Sequence, residues 1–174
     1  MDRHTEIIKT KLINFSDKTT IKRLTIAFAR EYNQVDIEHA LVITPNGIAY
    51  ELSGIAESVN PEVIGADQLR NSIIVHNHPV LAGEIMGDSF SLNDILLSVR
   101  NKVSKQYLVS GVRRNTFVYS GSLSEKEIWL EYKKARNVML ERAFSREADI
   151  DWEREEIIKI LAEKLKGFDY YDYF

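Results

Sequence analysis

The chain is expected to fold as an α+β domain, a mixed and mostly antiparallel sheet flanked by helices. Three observations predict it. Short β-branched runs come in pairs around turn residues, as residues 40–44 and 48–52 do around Pro45-Asn46-Gly47, which is the pattern of a hairpin. Segments with apolar residues at helical spacing lie before and after these runs and do not alternate regularly with them, which argues against a doubly wound parallel sheet. The length of 174 residues suits one domain with appended elements and a sizeable core. The chain divides accordingly into N-terminal helices over 1–34, a core over 35–121, and C-terminal helices with an aromatic tail over 122–174.

In order along the chain, residues 6–14 and 18–32 carry apolar side chains at helical spacing, with Ser16 or Asp17 as the cap between them. The first hairpin follows. Asn60-Pro61 is an N-cap and first-position pair, so residues 61–70 are expected to form a short helix. The apolar run Ile73-Ile74-Val75 reads as a buried strand, residues 93–103 as a helix, and residues 106–110 and 116–120 as two strands around a turn. Ser124 with Glu127 has capping-box spacing and opens a helix to 146. A second helix is expected from about Trp152 to Lys166, where Gly167 stops it. Its stripe Ile157, Ile158, Leu161 and Leu165 packs on the domain or offers a dimer or partner surface. The tail 168–174 is aromatic and acidic, too short for a core and peripheral to any site.

Composition narrows the classes of function. With 23 basic against 26 acidic residues, the formal net charge of −3 leaves no electrostatic footprint for nucleic acid. Cysteine is absent, which removes disulfide scaffolds and suits the cytoplasm. No segment approaches the ~20 apolar residues of a membrane span, and Met1-Asp2-Arg3-His4-Thr5-Glu6 has no apolar leader core.

The most specific feature is Val75-His76-Asn77-His78-Pro79, followed by Ser89-Phe90-Ser91-Leu92-Asn93-Asp94. On a strand, residues i and i+2 share a face, so His76 and His78 point at one place. Pro79 ends the strand and frees the chain to return, where a carboxylate would complete three protein ligands. Three ligands and an open position describe a catalytic zinc site, since structural sites are closed by four side chains and usually include cysteine. Ser91 and Asp94 also have the spacing of a helix-capping pair, and the two readings are compatible because a helix start holds both side chains rigidly.

Together these residues resemble the JAB/MPN/JAMM metalloprotease family, whose signature is an upstream Glu, then His-x-His-Pro, then Ser-x-x-Asp. His-Asn-His-Pro is similar to the bacterial branch, including RadC-like proteins, and residues 87–94 are similar to its phage-associated JAB domains. The resemblance covers roughly residues 35–121 and implies a JAB/MPN-like sheet flanked by helices. It implies Zn2+ held by His76, His78 and Asp94, with Ser91 stabilising an oxyanion. Twelve residues separate His78 from Ser91, more than the family's usual spacing, so residues 80–86 are expected to form an enlarged loop at the metal. That insertion also brings Asp88 as a rival ligand, ranked below Asp94.

The family's glutamate has two candidates. Glu38 opens the strand that runs into the Gly47 turn and is favoured as general base; Glu51 is the fallback, since its alternation with Tyr50 and Leu52 fits an exposed position on a half-buried strand. His39 would face away from Glu38 and is expected to be a bystander. Such a site suits metal-assisted hydrolysis, with the carboxylate taking a proton from water and passing it to the leaving nitrogen. By resemblance, the activity is that of a JAMM-type isopeptidase or peptidase, deubiquitinase-like. Its substrate is a protein, cut after the C-terminal tail of a ubiquitin-like or other protein. The alternative is a RadC-like DNA-associated protein or a non-catalytic binding module of the same fold.

Overall fold

The computed structural model describes residues 4–56, 58–81, 84–85, 89–111, 113–145 and 153–171. Their centre is a seven-stranded mixed sheet. Its strands are β1 (Glu6–Leu12), β2 (His39–Ile43), β3 (Ile48–Ser53), β4 (Ile73–Asn77), β7 (Lys105–Ser110), β8 (Arg113–Tyr119) and β9 (Phe168–Tyr171), and a separate two-stranded ribbon pairs β5 (Val80–Leu81) with β6 (Glu84–Ile85). The order across the sheet is β1-β3-β2-β4-β7-β8-β9, and every neighbouring pair is antiparallel except β4 with β7. That one parallel pair needs a crossover, and α3 (Leu92–Asn101) supplies it. The α+β class is as expected.

Strand alternation gives the sheet two apolar faces. On one, Leu41, Ile43, Ala49, Val75 and Val109 pack against Phe28, Ala29 and Tyr32 of α1 (Lys18–Tyr32). On the other, Ala40, Val42, Leu52 and Ile74 meet Leu69 of α2 (Ala66–Leu69) and Leu97 of α3. Farther along that second face, Leu108 and Phe117 lie under Ile95, α4 (Glu125–Phe144) and α5 (Glu153–Lys164). Helix starts obey local chemistry. Asp17 accepts from the Thr19 and Thr20 amides, and Ser124 forms a complete capping box with Glu127. The expected helix over 61–70 is two pieces, a 3-10 turn at Pro61–Ile64 and α2, divided at Gly65 with φ 94°. Trp152 and the expected helix end at Arg146 lie outside the described residues. No helix among the described residues is long and apolar enough to cross a membrane.

Two expectations about the ends of the chain are corrected. Residues 6–12 form strand β1 and not a helix; all seven are exposed, so no buried face imposes a period, and the ladder with β3 decides the conformation. Lys9 stands opposite Glu51 and pairs with it at 3.6 Å. Residues 168–171 of the aromatic tail, expected to be too short for a core, form β9 and complete the ladder on the outer edge of β8. Gly167, with φ 80° and its α-carbon facing the Gly121 backbone, turns the chain from α5 back onto that edge. Phe168 then enters the core beside Phe117, with ring centroids 4.8 Å apart. Ile157, Ile158 and Leu161 are buried in the same cluster and Leu165 packs against it, so the α5 stripe is spent on the chain's own core.

Because Phe168 is fully buried, Phe168→Ala is expected to lower the unfolding free energy by about 3–5 kcal/mol. Phe144→Ala removes a side chain that is 87% exposed and should change stability by less than about 0.5 kcal/mol. Urea denaturation of the two variants measures both.

Candidate metal centre

Central strand β4 carries its last residues out of the apolar core still buried: His76, Asn77 and His78 are each 3% exposed or less. His76 shares a sheet face with Ile74 and stands opposite Ala40, with the edge of its ring on Phe90 at 5.7 Å. His78 lies one residue past the strand, and its backbone amide donates to the Val109 carbonyl of β7 at 2.9 Å. The i, i+2 relation holds, and both rings face the start of α3.

There the capping box and the ligand reading coincide in one carboxylate. Asp94 Oδ2 accepts from the Ser91 amide at 2.6 Å and from the Ser91 hydroxyl at 2.7 Å, while Ser91 Oγ accepts from the Asp94 amide at 3.2 Å. Asp94 Oδ1 stands 3.6 Å from His76 Nε2, and Oδ2 stands 4.0 Å from His78 Nε2. Both separations are long for hydrogen bonds. They are close to the ~3.4 Å expected between two ligands each about 2.1 Å from a tetrahedral ion. One ligand atom from each of His76, His78 and Asp94 lies within 4.8 Å of the others.

The fit is supported by what the imidazole lacks. His76 Nε2 is buried with no hydrogen-bond partner, a costly arrangement for a polar atom unless something else satisfies it. Burial disfavours a charged His76, yet Asp94 outweighs that and raises its pKa; Asp94, despite its own burial, is held well below the usual carboxylate range by His76, His78 and Ser91. A carboxylate that stays ionised beside two imidazoles is a donor set for a divalent cation. Two nitrogens and one oxygen, with no thiolate, suit a borderline metal and leave a coordination position open.

Glu38 belongs to the same place. It precedes β2 and shares the face of Ala40, hence of His76. Its backbone pairs with Gly54 and Ile55, and its Oε2 accepts from the Val59 amide at 2.9 Å. Burial pushes its pKa up to about 7, against the pull of His76. Glu38, Val59, His78, Ser91 and Asp94 line one cleft of about 640 Å³.

Glu51 is elsewhere. It stands opposite Leu41 on the α1 face, where the Tyr32 hydroxyl donates to it at 2.5 Å. His39 also lies on that side, facing away from Glu38 as expected and stacked on Tyr32 at 4.1 Å between centroids, and burial lowers its pKa. Asp88 lies outside the described residues, as do 82, 83 and 86 of the expected loop over 80–86, while 80–81 and 84–85 form the β5–β6 ribbon.

Two positioning groups escape a search for ligands and bases. Asn77, between the histidines, turns its amide the other way: Oδ1 accepts from the His39 amide at 2.6 Å and Nδ2 donates to the Ile37 carbonyl at 2.9 Å. It therefore clamps the backbone on both sides of Glu38. Gln106 of β7 donates to the Asp94 carbonyl at 2.6 Å and to Ser98 Oγ at 2.7 Å, tying the first turn of α3 to the sheet. The available signal was polarity itself, because an Asn or Gln in an apolar strand must find partners.

Two outcomes are expected. Metal analysis of the purified protein should find about one divalent ion per chain, and His76→Ala combined with His78→Ala should abolish it; unchanged metal content in that variant would exclude these ligands. Asn77→Ala strands one buried donor and one acceptor, at a cost of about 1–3 kcal/mol for each group left unpaired, and should retain the metal, as denaturation and metal analysis together would register. Comparison of the chain with known protein families, with curated proteins and with solved structures finds no match.

Proposed function

We propose that the chain is a zinc-dependent hydrolase of amide bonds, a JAMM-type peptidase or isopeptidase acting on a protein substrate after the C-terminal tail of a ubiquitin-like or other protein. One observation carries the reading: a half-buried carboxyl with its pKa near neutrality, Glu38, opens onto the same cleft as His78 and Asp94, which cluster with His76. Perturbed acids beside a cation-ready donor set are a hydrolase's equipment.

Zinc, when bound, acidifies water and polarises the carbonyl to be attacked. The remaining work falls to side chains of the protein. Glu38 is anchored through Oε2 by the Val59 amide, which leaves Oε1 to take a proton from the attacking water and return it to the departing nitrogen. Positive charge among the ligands would draw its pKa down from about 7, keeping it ionised as a base at neutral pH. His76 sits on β4 and His78, one residue past its end, is tied by its backbone amide to Val109, so their geometry is held before substrate arrives. Ser91 donates its hydroxyl to Asp94, but the Ser91 amide also holds that carboxylate. The hydroxyl can therefore turn toward a developing oxyanion while Asp94 stays in place.

Glu38→Gln is expected to keep the metal and the fold and to lose roughly 10²–10⁴-fold in hydrolysis. Ser91→Ala should lose less. Cleavage of fluorogenic peptides and of ubiquitin-like fusions, with and without chelator, measures both. A Glu38→Gln protein as active as the parent, or cleavage indifferent to chelation, would overturn the assignment.

A further inference from the structure

Most charges around the cleft are matched within the protein. Asp94 faces the two histidines. Arg100 is held between Glu62 and Glu125 at 2.8 and 2.9 Å, and Asn101 donates to the same Glu62. Arg154, at the start of α5, is different. It lines the cleft, it is partly buried, and among the described residues no carboxylate or carbonyl accepts from its guanidinium. The neighbours on either side of it are spent elsewhere: Glu153 takes Arg136 at 3.0 Å, and Glu155 takes Arg113 and Lys159. Arg154 lies near enough to Glu38 to draw on its carboxyl, yet forms no ion pair with it.

Charge balance says what is missing. A divalent cation with two neutral imidazoles and one carboxylate carries one positive charge, and Glu38 offsets it. Of the two guanidiniums that line the cleft, Arg100 has two carboxylate partners and Arg154 has none among the described residues. A guanidinium in a concave, partly dehydrated wall attracts a planar anion through two parallel hydrogen bonds. With Arg100 already neutralised, a single free guanidinium matches the single charge of a carboxylate better than it matches a phosphate.

We propose that Arg154 reads a carboxylate carried by the substrate, so that the cleft favours amides with an acidic group beside the scissile bond over neutral ones. The inference rests on the hydrolase reading above. The carboxylate is either a free C-terminus or an Asp or Glu side chain, and the same guanidinium serves both.

Three succinyl hydroxamates separate these cases on the zinc-loaded full chain: one capped with alanine amide, which is neutral, one with alanine bearing a free C-terminal carboxylate, and one with glutamate amide. Calorimetry should find at least one acidic probe bound about tenfold more tightly than the neutral one, equivalent to about 1.4 kcal/mol. Whichever acidic probe gains identifies the source of the carboxylate. The ratio should collapse toward one in Arg154→Gln and return in part in Arg154→Lys, which keeps the charge but not the fork. Equal binding of all three probes to the parent protein overturns the carboxylate proposal and leaves the hydrolase reading standing. Equal weakening of all three in Arg154→Gln also overturns it, since the residue would then act on the metal shell. Binding of none, with zinc content verified, overturns both.

Discussion

Burying three polar side chains in succession at the end of a central strand is the constraint on which the rest of the molecule depends. Each must be satisfied or the fold loses more than it gains from the apolar residues before them. The Asn77 side chain is satisfied by the backbone flanking Glu38, and the His78 ring faces Asp94 while its backbone amide bonds to β7. His76 Nε2 is left over. The arrangement of β2, β7 and α3 around β4 answers the first two demands, and an ion at the candidate metal centre would answer the third.

Helix capping solves a second problem at the same spot. An ionised carboxylate near the middle of a protein needs donors, and the start of a helix has amides to spare. Asp94 takes the Ser91 amide and hydroxyl on Oδ2 and keeps Oδ1 for His76. A ligand held this way costs the protein little, because the helix needed its cap in any event. Gln106 fixes the same turn from the sheet side, so Asp94 is braced by both the helix and the sheet.

What could be read in advance follows from which forces are local. Strands buried on both faces, such as β2 and β4, announce themselves by continuous β-branched runs; the i, i+2 spacing put His76 and His78 on one face, and the family resemblance added Asp94. Helix α1 was readable from its cap and its period. β1 was not: residues 6–12 bury nothing, so Ile7, Ile8 and Leu12 fall at positions that a helix would accept equally well, and only the partner strand decides. β9 was misread for the opposite reason, since Phe168 fills a space whose walls come from β8, α4 and α5 and cannot be inferred from a four-residue strand. Asn77 and Arg154 depend on groups distant in the chain, the first on residues 37–39 and the second on the cleft across the sheet. Glu38 and Glu51 differ only in which face of the sheet they occupy, and strand register settles that.

The two misread strands are also the two ends of the sheet, and this has a consequence for solubility. A sheet edge with unpaired amides and carbonyls is a template on which another chain can add. β1 presents Glu6, Lys9 and Lys11 in an exposed strand broken by a bulge between Ile7 and Lys9, and β9 presents only four residues, with Asp169 turned to solvent. Charge, brevity and irregularity are the usual deterrents to edge-to-edge pairing. Without β9 the outermost strand would be β8, seven residues long and ending in Phe117, Val118 and Tyr119. β9 thus covers a longer edge against self-association, apart from anything it contributes to the core.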